Sequence, residues 1–348
     1  KRKASSKPKR RAKKKSYKLR KSKEKSELLV NEVWCMLAKM GFHELSKDDE
    51  FAITGTKKFV EHKIDIYARD ENCVLLLQCE QLDVPGVTEK IDERIDEIKL
   101  IRSSIEQNIR KEFDGIKVKW LIATRRISWS ASSKNKAKEE NISILSDKDI
   151  DYYIKNTQLL KTAARFQLLA YLLKDIGVKG LGAKKVLATE GIMGGAKYYT
   201  FLASPADLLK ISFVAHKALS GNDDTYQRLV QPQRLKKIGE YIDNGGQFPT
   251  NIVINFKQKR PLSFEQKEKQ GNLKIGTLKL PNVYGSAWLI DGQHRLYGYA
   301  HSQRALKEDT KTFFPILAYH NLDPKKEKDL FVDINSKQVK VSKNVLNE

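Results

Sequence analysis

The sequence has no long hydrophobic run and only three cysteines, and both absences exclude classes of protein. No stretch approaches the roughly 18 consecutive apolar residues that a transmembrane helix needs, and no signal peptide is recognisable, so we expect a soluble, cytoplasmic protein. Cys35, Cys73 and Cys79 lack the spacing of zinc ligands and lie in apolar runs, which predicts buried thiols instead of a disulfide framework. Residues 180–185 contain glycines and lysines but lack the Gly-Lys-Ser/Thr ending of a P-loop.

Acidic residues are scarce relative to basic ones. The chain of 348 residues has 66 Lys and Arg against 43 Asp and Glu, a formal net charge of +23. Residues 1–25 hold fifteen of the basic residues and one acidic residue, so this segment repels itself and buries almost nothing, which predicts a disordered basic arm. Double-stranded DNA is the expected partner, because contact with phosphates releases counterions. A solubility tail or a targeting signal is the alternative.

Apolar residues make up 40% of the whole sequence, and the chain after residue 25 is long enough for two domains with their own cores. The predicted helices span residues 26–40, 88–110, 158–176, 205–219, 231–243 and 294–306, and the predicted strands span residues 63–67, 73–79, 116–124, 141–145, 198–202, 251–256 and 283–290. Residues 257–278 are polar and predict a surface loop or hairpin. We therefore expect an α/β protein with one domain over residues 26–155 and another over residues 156–348.

The strongest local signal is an apolar strand that leads into Asp291-Gly292-Gln293-His294-Arg295 and then into an amphipathic helix. A helix that begins directly after such a turn presents free N–H groups and the positive end of its dipole to an anion. Gly292 allows a close backbone approach, His294 and Arg295 add donors for phosphate oxygens, and Asp291 could cap the helix or hold a metal. An ordinary turn with a helix cap is the alternative.

This string, followed by Leu-x-Gly, resembles the signature of the DGQHR-motif family, which includes DndB-like proteins, and of the wider group with a ParB/sulfiredoxin-like fold. Residues 226–228, 248–255 and 331–338 also resemble family motifs, so the resemblance covers roughly residues 180–348. It implies a C-terminal α+β domain with a DNA-linked ATP site, with Mg²⁺ expected as a second cofactor. By the same resemblance, the catalytic phosphate site consists of Asp291, Gln293, His294 and Arg295, and the cofactor-binding residues are Gly292, Gln227, Arg228, Asn335 and Gln338. Gln227, Arg228, Asn335 and Gln338 could instead cap a helix or close a turn.

A second constellation resembles the PD-(D/E)XK nuclease fold, in which carboxylates at strand ends hold Mg²⁺. The implied metal ligands are Glu32, Asp65, Gln78 and Glu80. Glu80 stands where the family has a lysine, so a carboxylate replaces the cation that should face the scissile phosphate. The domain could be a nuclease-like fold kept for DNA binding, an active variant in which Lys63 or another cation takes the lysine role, or a generic α/β hairpin.

These patterns lead to one main hypothesis and two alternatives. The main hypothesis is a DNA-binding, DNA-stimulated ATPase of a bacterial DNA-modification or defence system, of the phosphorothioation or 7-deazaguanine type. We expect it to associate with the nucleoid, to form a homo-oligomer and to work with DNA-modification proteins. The alternatives are a Mg²⁺-dependent DNA endonuclease and a non-enzymatic DNA-binding transcriptional regulator.

Overall fold

The structure is a computed structural model that describes residues 25–47, 64–181, 184–213, 231–306 and 311–336. Within these ranges the chain forms two β-sheets with packed helices, so the predicted mixed α/β fold is confirmed. The predicted restriction-endonuclease-like and ParB/sulfiredoxin-like architectures stay predictions. The predicted basic arm lies outside the described residues except for Lys25. None of the described helices is long and apolar enough to cross a membrane.

The first half of the chain forms a five-stranded sheet with helices on both faces. Its elements are α1 (Lys25–Lys39), β1 (Glu44–Lys47), β2 (Ile66–Arg69), β3 (Cys73–Gly86), α2 (Lys90–Glu112), β4 (Lys117–Ile127), α3 (Ala131–Glu139), β5 (Ile142–Leu145) and α4 (Asp147–Leu160). Strands β1, β2 and β3 pair antiparallel, and β3, β4 and β5 pair parallel. The apolar run at the start of β3 is buried on both faces, as parallel sheets covered by helices require.

The helices of this half follow from apolar periodicity. Helix α2 places an isoleucine on the sheet at nearly every turn, and all six are buried: Ile91, Ile95, Ile98, Ile101, Ile105 and Ile109. Helix α1 buries Leu29, Val33 and Leu37 on the opposite face of the sheet. Cys35 lies away from that buried face and is exposed, so its prediction as a buried thiol is wrong, whereas Cys73 and Cys79 are buried.

The second half forms an eight-stranded sheet. Its elements are α5 (Ala164–Leu172), β6 (Lys185–Met193), β7 (Ala196–Ala203), α6 (Pro205–Ile211), β8 (Ser212–Phe213), α7 (Pro232–Asp243), β9 (Ile252–Phe256), β10 (Ser263–Gln270), β11 (Leu273–Lys279), β12 (Ala287–Asp291), α8 (Gln293–Tyr299), α9 (Gln303–Leu306), β13 (Phe314–His320) and α10 (Pro324–Ser336). The strand order in this sheet is β10-β11-β6-β7-β13-β9-β12-β8. Strand β9 thus lies between β13, which is parallel to it, and β12, which is antiparallel.

One continuous apolar core joins the two halves, because a single cluster of buried side chains runs from Leu29 to Ala318. Helix α4 carries the chain through residue 155, the predicted domain boundary, and that boundary stays a prediction. Two polar contacts tie the turn before β3 to the second half. Asn72 Nδ2 donates to the Tyr284 hydroxyl at 3.3 Å, and Arg165 Nε lies 3.6 Å from Asp70 Oδ2.

Candidate functional site

The segment from Asp291 to Arg295, here called the 291–295 turn, joins strand β12 to helix α8. Gly292 has a φ of +89°, a backbone conformation that residues with a Cβ rarely adopt. A Cβ at this position would also lie 3.0 Å from Ile252 Cγ1 and 3.2 Å from Arg295 Nη2. The turn therefore requires glycine for its conformation and for the close approach of its neighbours.

Arg295 fixes the shape of this turn through internal contacts. Its Nη2 lies 2.7 Å from Asp291 Oδ2 and donates to the Asn251 carbonyl at 3.1 Å. Its Nη1 donates to the Thr250 carbonyl at 2.5 Å and to the Thr250 hydroxyl. Burial lowers the pKa of the Arg295 guanidinium, against the opposing effect of Asp291, and Arg234 lowers it further. Arg295 thus braces the end of β12 against the start of β9.

His294 lies where helices α7 and α8 begin. The backbone N–H of Gln231, the N-cap of α7, is directed at His294 Nε2 over 3.5 Å, which is the long limit for a hydrogen bond. If Nε2 accepts this contact, the imidazole is neutral and carries its proton on Nδ1. The two helices approach closely because Gly298 faces Ile238, and a Cβ on Gly298 would lie 2.7 Å from Ile238 Cβ.

The groups around His294 form a donor set that suits phosphate oxygens. Arg234 is exposed in the first turn of α7, and it is near enough to Arg295 to influence its pKa. The first hydrogen bond inside α8 runs from Leu296 N to the Gly292 carbonyl at 3.0 Å, so the earlier amides of α8 have no acceptor within the helix. The turn therefore offers backbone amides, an imidazole and an exposed guanidinium to an anion.

The other residues predicted for this site are not all described. Gln293 opens α8, and Asn335 lies in the last turn of α10. The predicted Gln227, Arg228 and Gln338 lie outside the described residues. Helix α10 packs partly buried Leu330, Phe331 and Ile334 on a cluster that includes Ile290, the residue before Asp291. The backbone of Asn335 therefore belongs to a helix that covers the strand leading into the turn.

A buried polar network at the other end of β9 was not predicted from the sequence. Asn255 Nδ2 donates to Glu327 Oε2 at 2.6 Å, and both residues are almost completely buried. Lys257 Nζ lies 3.0 Å from the same carboxylate and 3.6 Å from the centroid of the Trp288 ring. The available signal was Asn255 within the apolar run of β9, because a buried amide needs partners. The network ties β9 to the start of α10.

The residues predicted to bind a metal in the first half are divided between the two faces of the sheet. Glu32 accepts hydrogen bonds from Arg125 at 2.8 and 3.0 Å on the side of α1 and α4. Glu80 and Gln78 contact Arg94 and Glu97 of α2, on the opposite side. The structure therefore brings Glu80 and Gln78 to one face and places Glu32 on the other.

Arg94 supplies the positive charge on the α2 side. Its Nη2 lies 3.4 Å from Glu80 Oε2, and its Nη1 lies 3.0 Å from Glu97 Oε2. Burial acts to lower the pKa of Arg94, but Glu97, Glu80 and Asp65 outweigh it and raise the pKa. Asp65 is buried and accepts a hydrogen bond from the Cys79 amide at 2.7 Å.

This arrangement does not fit Mg²⁺. A guanidinium already neutralises the carboxylates that a divalent cation would need, and Glu32 is on the wrong face. Across the described ranges, no group of three or more His, Cys, Asp or Glu side chains is arranged to hold a metal ion.

Comparison with known proteins gives one positive result. No curated protein and no solved structure matches the chain. One protein family matches a region of the chain that begins in β6, extends past α10 and contains the 291–295 turn. The predicted family resemblance is thereby confirmed at the level of a DndB-like family. Residues 186–347 match the DndB family, described as DNA-sulfur modification-associated, and this part of the chain is similar to DndB proteins.

Proposed function

We propose that this protein is a DNA-binding, DNA-stimulated ATPase that serves a DNA-sulfur modification system. The match of residues 186–347 to a DNA-sulfur modification-associated family supports the link to DNA. The net charge of +23 supports it as well, because a strongly basic chain binds polyphosphates through counterion release.

The observation that carries the nucleotide part of the proposal is the meeting of two helix starts at His294. The amides at the start of α8, the imidazole of His294 and the guanidinium of Arg234 offer donors from both α7 and α8. ATP bound there would supply the phosphoanhydride bond that is hydrolysed. His294, protonated on Nδ1, would donate to a phosphate oxygen while Nε2 stays on Gln231.

Arg295 has a different task in this proposal from the one the sequence suggested. Its guanidinium already binds Asp291, Thr250 and Asn251, so it positions the turn and does not serve as a phosphate ligand. Gly292 and Arg295 together hold the amides of α8 in place, which is how a binding site is organised before its ligand arrives. Arg295 is therefore a positioning residue.

The proposal is tested by phosphate release from ATP and Mg²⁺, with and without duplex DNA. We expect turnover that rises with DNA in the wild type and is lost in His294→Ala. The matched control is His43→Ala, which removes an exposed imidazole from the other half of the chain. Absence of turnover in the wild type under both conditions would exclude the ATPase, and equal losses in the two variants would exclude His294 as the site.

A binding-only regulator is the second candidate, and the internal engagement of Arg295 favours it. An arginine used as a brace cannot also stabilise the charge of a phosphoryl transition state. In that case the wild type would bind ATP without releasing phosphate, whether or not DNA is present. The endonuclease alternative has no comparable support, because Arg94 holds the carboxylates that would bind Mg²⁺.

A further inference from the structure

A cavity of about 580 Å³ lies at the opposite end of β9 from the 291–295 turn. Three segments form its walls: residues 257–263 after β9, residues 279–283 after β11, and residues 175–177 after α5. Its lining has four cationic side chains against the single carboxylate of Asp175, and these cations are Lys257, Lys259, Arg260 and Lys279. We call it the basic cavity.

The backbone around the basic cavity is fixed by hydrogen bonds. The Gln258 amide donates to Asn321 Oδ1 at 3.1 Å, and Asn321 Nδ2 donates to the Gln258 carbonyl at 3.1 Å. On the opposite wall, the Val178 amide donates to the Asn282 carbonyl at 2.9 Å. The cavity is therefore formed before any ligand binds, which reduces the entropy cost of binding.

The cations of the basic cavity are poorly neutralised. Arg260 and Lys279 are exposed, and neither forms an ion pair with an acidic side chain of the described residues. Lys259 forms only an exposed contact of 3.6 Å with Asp175, which contributes little in water. Lys257 is held by Glu327 beside the cavity. The lining thus keeps positive charge available for an external anion.

A second cavity, between the two halves of the chain, differs from the basic cavity in the pairing of its cations. It has a volume of about 780 Å³ and is also lined by cations, but its charges are paired internally. Lys184 lies 2.6 Å from Asp207, and Lys210 lies 3.7 Å from Glu71. Internal pairing of this kind favours a structural role, so the basic cavity is the better candidate for an anionic partner.

We propose that the basic cavity binds the phosphate backbone of double-stranded DNA. The proposal rests on the DNA binding of the proposed function and specifies the surface that carries it. Arg260 can bind a phosphate through two parallel hydrogen bonds, and Lys279 can bind a neighbouring phosphate as a point charge. The five residues of β9 separate this cavity from the 291–295 turn by roughly 16 Å, so the two sites do not share side chains.

The test measures the affinity of the full chain for a fluorescent DNA duplex as a function of salt. Arg260→Ala/Lys279→Ala removes both uncompensated cations. The matched control is Lys134→Ala/Lys138→Ala, which removes two exposed lysines of α3 that form no ion pair with the described acidic side chains. Thermal unfolding of each variant checks that the substitutions leave the fold unchanged, as exposed positions predict.

Loss of two phosphate contacts should reduce the slope of log affinity against log salt by about 1.8, since each contact contributes about 0.9. If the wild type and the variant bind DNA equally at about 1 M salt, this difference in slope makes the variant bind roughly 60-fold more weakly than the wild type at about 0.1 M salt. The control should keep a nearly unchanged slope. Suppose that the wild type binds DNA, but the cavity variant keeps the wild-type slope or loses no more DNA affinity than the control. The inference is then wrong, while the proposed function stands. If the wild type binds no duplex at all, both are wrong.

Discussion

Replacing Arg295 with alanine should destabilise the protein, because its side chain is only 15% exposed and has internal acceptors. The ion pair with Asp291 is worth about 1.5–3 kcal/mol, and each hydrogen bond to the carbonyls of Thr250 and Asn251 is worth about 0.5–1.5 kcal/mol. Water can reach Thr250 and Asn251 in the variant and recover part of this energy. We therefore expect the free energy of unfolding to fall by about 3 kcal/mol.

Thermal unfolding followed by circular dichroism measures this effect. A loss of about 3 kcal/mol corresponds to a decrease of roughly 5–10 °C in melting temperature for a domain of this size. Arg260→Ala is the matched control, because it removes an exposed arginine that forms no ion pair with a described acidic residue, and it should change the stability by less than about 0.5 kcal/mol. Arg295→Lys should lie between the two, since lysine keeps the charge but not the planar donor geometry.

Two results would refute the reasoning about Arg295. The first is a melting temperature of Arg295→Ala equal to that of the control, which would mean that the brace contributes nothing to stability. The second is an Arg295→Lys variant that is as stable as the wild type but has lost ATP binding, which would make Arg295 a ligand instead of a brace. His294→Ala should differ from Arg295→Ala, because we expect it to lose ATP binding and to keep the melting temperature of the wild type.

Three further predictions concern other positions. Gly292→Ala should lower the free energy of unfolding by about 1–3 kcal/mol in urea titrations, because φ is +89° there and a Cβ has no room. Mg²⁺ should leave the melting temperature of the wild type unchanged and raise that of Arg94→Ala, in which Glu97 loses its arginine and Glu80 keeps only the exposed Lys90, 3.8 Å away. Burial raises the pKa of Asp70, so its ionisation should reduce stability as pH rises from its unfolded pKa of about 3.9 through the folded pKa. Asp70→Asn should remove this decrease from a series of unfolding curves measured over that pH range.

Much of the secondary structure could be predicted because its signals are local. The isoleucines of α2 recur at helical spacing, and the predicted helix over residues 88–110 differs from the observed Lys90–Glu112 only at its ends. Strand β3 was predicted to end at Cys79 but continues to Gly86, through residues that are partly or fully exposed. Of these residues, Glu80, Gln81 and Gly86 pair with residues of β4 that lie more than 40 positions away, and such a distant pairing leaves no local signal.

The start of α4 could have been recognised but was not predicted. Residues 147–160 form a helix where the sequence indicated the end of a domain. Ser146 and Asp149 form a capping box, in which each side chain binds the backbone amide of the other residue, and this pattern marks a helix start. The strongly polar character of residues 147–151 hid the apolar face of α4, which buries Ile150 and Tyr153.

The roles of the charged residues could not be predicted, because the partners that decide them are distant in sequence. The motif around Arg295 suggested a free phosphate ligand, but its acceptors at Thr250 and Asn251 lie about 45 positions earlier. Glu80, in place of the lysine of the nuclease family, suggested a nuclease-like site without its cation, but Arg94 of α2 supplies a positive charge there. Local sequence indicates which residues carry charge, and only the fold determines whether that charge is already neutralised.

The same reasoning identifies the cations that remain available to DNA. An arginine that already has a carboxylate partner gains little from a phosphate, because it must first break an interaction of similar strength. Arg94 and Arg295 belong to this class. Arg260 and Lys279 belong to no recognisable motif, yet they are exposed beside a preformed cavity without acidic partners among the described residues. A phosphate bound there replaces only water, so DNA affinity should depend more on Arg260 and Lys279 than on Arg94 or Arg295.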